Sequence, residues 1–255
     1  MPVADLDLNA LNSATKYPSI FTYHELAQGG RLIEKATAFT GDVILTEKVD
    51  GTNARIISLP GGDYLLGSRE ELFYARGDRV WNPRLSIVDA LRPLAERITS
   101  PDTGAVVYYL EVYGGQNISR ASGEYTSGQT VGHRLFDVAT IQPSTMEQPR
   151  AAIAAWRDNG GQDFLTEDEL TTVAKTEGIE LTPRLATVAG SELPTGIEEM
   201  QAFLDRHMPT TLVALDPDVS GRSEGIVLRT SDRSVIAKAR FQNYERTLQV
   251  RNKRR

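Results

Sequence analysis

Cysteine is absent from this sequence and histidine occurs only three times. Without cysteine there is no disulfide, no thiolate metal site and no cysteine nucleophile. Three scattered histidines argue against a histidine-rich metal centre. No run approaches the roughly 20 apolar residues that a membrane-spanning helix needs. The start, Met1-Pro2-Val3-Ala4-Asp5-Leu6-Asp7, is acidic and lacks the charged-then-apolar layout of a signal peptide. Internal repeats and low-complexity linkers are also missing. Together these absences point to a cytoplasmic protein with no membrane partner.

What remains is ordinary for a globular chain: 255 residues, 40% hydrophobic and 24% charged. That length buries a substantial core as one large domain or two small ones. A net charge of −6 argues against coating nucleic acid by bulk electrostatics and leaves room for a local basic groove. Between Arg240 and Arg255 the cations Arg240, Arg246, Arg251, Lys253, Arg254 and Arg255 face a single acid, Glu245. A solvated helix end and a phosphate-contacting tail fit that segment equally well.

The central stretch is Glu47-Lys48-Val49-Asp50-Gly51-Thr52-Asn53, preceded by the apolar run Val43-Ile44-Leu45. A strand delivers one lysine into a turn, with a carboxylate two residues on. A free lysine has a pKa of about 10.4 and attacks nothing at neutral pH. It becomes a nucleophile when it is desolvated or sits near another cation or a metal ion. Alone, the pattern is equally a surface Lys-Asp pair in a hairpin turn.

Around it the chain reads as α+β. Residues 1–40 read as loop, with a short helix over Glu25 to Lys35. Strands follow at 43–48, 54–58 and 64–66, the last two separated by the turn Pro60-Gly61-Gly62-Asp63, as a meander of antiparallel strands. Asn82-Pro83 opens a helix with Leu85, Val88, Leu91, Leu94 and Ile98 at helical spacing, bent or split by Pro93. Ala105 to Tyr113 is β-branched and aromatic and reads as a buried central strand ending at Gly114-Gly115. Residues 115–130 form a polar loop, and 133–138 another strand. Capping-box patterns at Ser144/Glu147, Thr166/Glu169 and Thr195/Glu198 mark helix starts. They make 144–207 a mainly helical insertion with one strand near 185–188. Strands return at 224–229 and 234–240, and a helix runs from Gln242.

Lys48, Arg69, Glu111, Phe136, Glu224 and Lys238 all fall at strand ends or within strands. Singly, Phe136 is by default core, and Glu224 and Lys238 fit a cross-strand pair. Glu111 inside Tyr109-Leu110-Glu111-Val112-Tyr113 is harder to explain away, because a charge in a buried strand needs a partner. In order, Lys48-Val49-Asp50-Gly51, Leu110-Glu111-Val112-Tyr113-Gly114 with Leu135-Phe136-Asp137-Val138, Ser223-Glu224-Gly225-Ile226-Val227 and Ile236-Ala237-Lys238-Ala239-Arg240 resemble the collinear motifs of the covalent nucleotidyltransferases. That superfamily holds the polynucleotide ligases and mRNA capping enzymes. Asn53 after Asp50-Gly51-Thr52, and Gly67-Ser68-Arg69, are similar to ATP-dependent RNA ligases, nearest the branch that seals breaks in duplex RNA. One departure is Arg240, where the fifth motif usually has a second lysine.

The resemblance implies a single adenylyltransferase domain over 1–255, with antiparallel sheets and flanking helices of the ATP-grasp-like ligase type, and no separate C-terminal OB domain. It implies that Lys48 forms a lysyl-AMP with ATP, and that AMP passes to an RNA 5′-phosphate before a 3′-hydroxyl displaces it. Glu224 and Asp50 would serve Mg²⁺, with Mn²⁺ as a substitute. Lys238 and Arg240 would hold the α-phosphate, Glu111 the ribose and Phe136 the adenine. Glu47 would lie near the base, Asp50 and Asn53 would belong to the nucleotide pocket, and Arg69 would meet the RNA end. DNA nick sealing, GTP-dependent capping and a non-catalytic nucleotide- or RNA-binding protein are the rival readings. Intact Lys48, Glu111, Glu224 and Lys238 argue against the last.

Overall fold

The computed structural model describes residues 3–77, 79–82, 86–115 and 118–253. The first α-helix, α1 (Leu8–Ala14), lies where the sequence reads as loop. Asp7 caps it, its carboxylate accepting from the amides of Asn9 and Ala10. Next come β1 (Phe21–Thr22), β2 (His24–Leu26) and β3 (Leu32–Ala36). The helix expected over Glu25 to Lys35 is thus a hairpin. Gly29 and Gly30, at φ 86° and 71°, reverse the chain between β2 and β3, a conformation that glycine adopts without strain.

The chain continues through β4 (Asp42–Lys48), β5 (Thr52–Ser58), β6 (Tyr64–Ser68), β7 (Leu72–Ala75) and α2 (Ile87–Ala95). Helix α2 ends two residues beyond Pro93 and is not split by it. Of the helix positions expected here, Pro83 and Leu85 lie outside the described residues. The long strands β8 (Ala105–Gly114) and β9 (Val131–Ile141) precede α3 (Pro143–Met146), α4 (Arg150–Asp158), β10 (Asp163–Phe164) and α5 (Glu167–Glu177). Then follow β11 (Arg184–Ala189), α6 (Ile197–His207), β12 (Gly225–Thr230), β13 (Ile236–Arg240) and α7 (Phe241–Asn252).

Of the three capping boxes, only Thr166/Glu169 forms, at the start of α5. Ser144 falls inside α3, which begins at Pro143, where the fixed proline φ suits a first helical residue. Helix α6 begins after Gly196, and Glu34 accepts from its first amide, that of Ile197, at 2.9 Å.

The chain gathers into two units: residues 1–18, 51–122 and 128–181, and residues 19–50, 123–127 and 182–255. The segment 144–207 is therefore divided between them. In the first unit, β10-β9-β8-β5-β6-β7 form one antiparallel sheet. Ala54, Ile56, Leu66, Tyr108, Leu110 and Val112 make its apolar face, covered by Ile87, Val88 and Leu91 of α2 and Leu170 and Ala174 of α5. The opposite face is mixed, with Ile57, Leu65 and Val107 buried beside polar groups. There Arg55 is buried beneath α1 and bonds to Asn12, while the Tyr109 hydroxyl donates to the Thr15 carbonyl at 3.0 Å.

In the second unit the order is β1-β13-β12-β4-β11, with β2 and β3 paired beside it as a separate hairpin. All neighbours are antiparallel except β1 and β13, which run parallel. Val43, Leu45, Ile226, Leu228, Ala237 and Ala239 face α6 and α7. The expected meander from 43 to 66 is corrected here: β4 and β5 belong to different sheets. Both ladders of β4 are occupied, by β11 and β12, so β5 has no edge of it to pair with.

Gly225 is the most constrained turn point of this sheet. Its φ is 152°, and a Cβ there would lie 2.0 Å from the Ala239 carbonyl oxygen. Gly225→Ala is expected to lower unfolding free energy by more than about 1 kcal/mol, measured by urea denaturation. An unchanged midpoint would show that β12 tolerates another backbone at this position.

Candidate active site

The second unit assembles its charged residues by strand register. Residues Lys48 of β4, Gly225 of β12 and Arg240 of β13 form one row across three strands. With neighbouring strands about 4.8 Å apart, Arg240 starts roughly 10 Å from Lys48. Glu224 sits at the head of β12, where its amide donates to the Lys48 carbonyl at 3.0 Å. The Ser223 hydroxyl donates to the same carbonyl at 2.6 Å. Thus fixed, the Glu224 carboxylate pairs with Lys48 Nζ through one oxygen, and its other oxygen accepts from Arg240 at 3.2 Å. One half-buried carboxylate lies between two cations.

Lys238 lies two residues before Arg240, on the same side of β13, opposite Val227 and beside Thr22 of β1. Asp50, just beyond β4, donates its amide to the Tyr125 hydroxyl at 2.6 Å. Burial raises the Asp50 pKa above its ordinary value, and the Glu224 charge adds to the effect; Lys48 and Arg240 oppose it, and Glu124 reinforces it. Glu47 is placed differently. It follows the core-facing Val43 and Leu45 in strand alternation and is buried. Its carboxylate accepts from the Thr211 hydroxyl at 2.5 Å and the Leu212 amide at 3.0 Å.

The first unit holds a second group. Asn53 of β5 pairs in register with Glu111 of β8, and its carbonyl accepts from the Arg69 amide at 3.1 Å. The Asn53 side-chain oxygen is buried without a hydrogen-bond partner among the described residues. Glu111 answers the question of its charge in part: its carboxylate accepts from the Gly51 amide at 3.1 Å. Gly51 leaves no space for a side chain, since a Cβ would lie 2.3 Å from the Val112 carbonyl oxygen. The Arg69 side chain is partly exposed, 3.9 Å from Glu70.

Phe136 sits on a β-bulge. Leu135 pairs with Leu110 and Asp137 with Tyr109, so Phe136 is the extra residue. Its ring meets Tyr17 edge-on at 5.0 Å and lies nearly parallel to Tyr109 at 6.4 Å. The Tyr17 hydroxyl donates to the Asp137 carboxylate at 2.9 Å.

The structure therefore brings Lys48, Glu224, Lys238 and Arg240 to one region of the second unit, with Asp50 adjoining. It groups Asn53, Glu111 and Arg69 on neighbouring strands of the first unit, and sets Phe136 on β9. Sequence reasoning missed Tyr125 and Thr211. Tyr125 lies in a glycine-containing polar loop with no pattern to single it out, and Thr211 acts through the fold alone. Among the described residues no group of three or more His, Asp or Glu is placed to hold a metal. Glu224 and Asp50 are the carboxylates available, which suits an ion such as Mg²⁺ that keeps several waters and leans on one or two carboxylates plus substrate phosphates.

The chain belongs to the RNA ligase family, whose model matches residues 41–241. No curated protein matches by sequence. Among solved structures the chain is similar to an RNA ligase of Naegleria gruberi. A variant with ATP and Mn gives a TM-score of 0.53 at 14% identity, covering 82% of this chain and 52% of that one. Another variant with ATP and Mn gives 0.55 at 14%, covering 92% and 62%. A variant with AMP and Mn gives 0.52 at 14%, covering 89% and 60%. The chain thus spans between half and two thirds of the length of those proteins, and the likeness is one of fold, an α+β architecture. No helix among the described residues is long and apolar enough to cross a membrane.

The Asp50 environment generates a pH prediction. A carboxyl whose folded-state pKa lies above its unfolded value of 3.8 destabilises the native state once pH has risen through that window, and has no effect below it. Asp50→Asn should therefore raise the melting temperature relative to wild type at pH 7, with the gain vanishing near pH 3. A gain of the same size at both pH values would show that the carboxylate charge is not the cause.

Proposed function

We propose that this chain is an ATP-dependent RNA ligase, a single adenylyltransferase domain acting on RNA with 5′-phosphate and 3′-hydroxyl ends in the cytoplasm. The observation that carries the reading is the Lys48–Glu224–Arg240 row inside the span matched by the family model. A lysine held against a carboxylate, with further cations on the adjoining strand, suits attack on a phosphate.

In this reading Lys48 Nζ, once deprotonated, attacks the α-phosphorus of ATP. The N–P bond forms, the bond to the β-phosphate oxygen breaks, and pyrophosphate leaves. An RNA 5′-phosphate oxygen then displaces lysine, which regains a proton, and AMP is joined to the RNA. A 3′-hydroxyl finally attacks that 5′-phosphorus, loses its proton and releases AMP. Mg²⁺, or Mn²⁺ in its place, would neutralise phosphate charge in these displacements. Glu224 orients Nζ while Lys48 is an ammonium, and Glu224 and Asp50 are the carboxylates suited to hold the metal's water shell. Lys238 and Arg240 neutralise the phosphate undergoing attack. In the first unit Glu111 accepts from ribose hydroxyls, Phe136 stacks on adenine and Asn53 supplies its unpaired oxygen to the nucleotide. Arg69 contacts the RNA end. Glu47 lies near the base, its carboxylate tied to Thr211 and Leu212.

Incubation with labelled ATP and Mg²⁺ should transfer label to the protein in a linkage stable to base and released by acid. Lys48→Ala and Lys48→Arg should abolish it, the latter because a guanidinium stays protonated. Glu224→Gln should impair labelling severely, with partial rescue at higher Mg²⁺, and Glu111→Gln should weaken it. Label persisting in either Lys48 variant would place the nucleophile elsewhere. Label from GTP, or sealing of nicked DNA in preference to RNA, would move the chain to another branch of the superfamily.

End recognition separates from nucleotide chemistry at Arg69. A charge-assisted contact to phosphate contributes about 1.5–3 kcal/mol, so its loss slows joining roughly ten- to a hundredfold. Arg69→Ala should still form lysyl-AMP yet fail to join a pre-adenylated nicked RNA at that level. Equal loss of both activities would return Arg69 to the nucleotide pocket or to the fold.

A further inference from the structure

The second unit contains a groove in which only Lys238 and Arg240 carry a role given above. Its volume is about 620 Å³, within the range of ligand sites. One wall is β13, contributing Lys238 and Arg240; the other walls are β1 and the β2–β3 hairpin, contributing Phe21, Leu26, Glu25 and Lys35. The groove therefore shares Arg240 with the Lys48–Glu224–Arg240 row.

Two features identify its occupant. The first is Phe21, among the described residues the most exposed of the large apolar side chains at 82%, on a two-residue edge strand paired with Ala237. A phenylalanine ring left in water at the mouth of a groove offers a stacking face. The second is charge. Lys35, Lys238 and Arg240 line the groove with one acid, Glu25, which pairs with Lys35 at 2.5 Å, while Glu224, outside the lining, pairs with Arg240. In a chain of net charge −6, three cations around one exposed ring are a local exception. A cationic groove with an aromatic platform is the arrangement that binds single-stranded nucleic acid without reading sequence.

We propose that this groove holds a short single-stranded RNA segment next to the end being joined, with a base stacked on Phe21 and phosphates met by Lys35, Lys238 and Arg240. The inference rests on the RNA ligase reading for its choice of polymer. It is independent of Arg69, which lies in the other unit. Entry of phosphates would also draw Lys35 from Glu25, so binding should weaken with salt.

The test uses the whole chain, with Phe21→Ala, Phe21→Trp and Lys35→Glu compared with wild type. Three quantities are read: lysyl-AMP formation, affinity for a fluorescein-labelled 5′-phosphorylated oligo(A) at low and moderate salt, and joining of a pre-adenylated RNA. Phe21→Ala should weaken oligonucleotide binding and joining roughly five- to a hundredfold, with lysyl-AMP formation unchanged. Phe21→Trp should retain both, and Lys35→Glu should weaken both with a shallower salt dependence. Wild-type affinity in Phe21→Ala and Lys35→Glu, alongside normal joining, would overturn the groove and leave the ligase reading standing. Oligonucleotide binding that depends on Phe21, in a protein forming no lysyl-AMP, would do the reverse. A parallel fall in lysyl-AMP formation in Phe21→Ala would assign the ring to the nucleotide pocket. A change in self-association without any effect on RNA would make the face a protein contact. Either of the last two results overturns the proposal.

Discussion

A single carboxylate shared by two cations is the constraint on which the second unit turns. Glu224 can meet both Lys48 and Arg240 only because β12 lies between β4 and β13 and because Gly225 occupies the centre of the row. The backbone closes the same arrangement from below, since the Lys48 carbonyl accepts from both the Glu224 amide and the Ser223 hydroxyl. Position and charge are thus fixed by one set of contacts. Partly buried ion pairs are costly to break by removing one partner, because the remaining charge loses its compensation. The apolar residues of these strands, Val43, Leu45, Ile226, Leu228, Ala237 and Ala239, face α6 and α7 and hold the row flat from behind.

The first unit solves a different problem, that of carrying polar groups inside a sheet. Arg55 is buried among them, and burial lowers its pKa to about 10. Its partners come from α1, and neighbouring contacts follow the same plan: Arg157 donates to the Ser13 carbonyl and Gln162 to the Ala14 carbonyl. Helix α1 thus buries Ala10, Leu11, Ser13 and Ala14 and is also held by hydrogen bonds to its C-terminal carbonyls. A helix attached in that way shows no broad apolar stripe, which is why it was illegible in a sequence read by hydrophobic periodicity.

The strands were easier to read for the same reason. Val43 to Lys48, Ala105 to Tyr113 and Ile236 to Arg240 carry their signal in their own composition, and each appears close to where it was expected. Pairing was not legible. Asp50-Gly51 resembles a hairpin turn, and only the occupancy of both sides of β4 shows that it is not one. Likewise, Glu25 to Lys35 lacks a decisive local period, and the paired glycines at 29 and 30 decide for a hairpin. At the site, the motif residues named Lys48, Glu224 and Arg240, while the Tyr125 hydroxyl accepts from the Asp50 amide and the Thr211 hydroxyl donates to Glu47, contacts that no residue type announces.

The bulge at Phe136 makes the placement of that ring a matter of parity. On either side of it β9 alternates in opposite phase, so Leu135 and Val138, three residues apart, share the apolar face. Substitution at 136 changes one side chain and leaves both phases intact. Removal of Phe136 would restore regular alternation with every cross-strand partner unchanged, whereas insertion of a further residue between Leu135 and Asp137 would shift one half of the strand against the other. The ring at 136 is therefore surplus to the ladder: its loss would leave the pairing of β9 with β8 whole and take away only the side chain that the bulge presents.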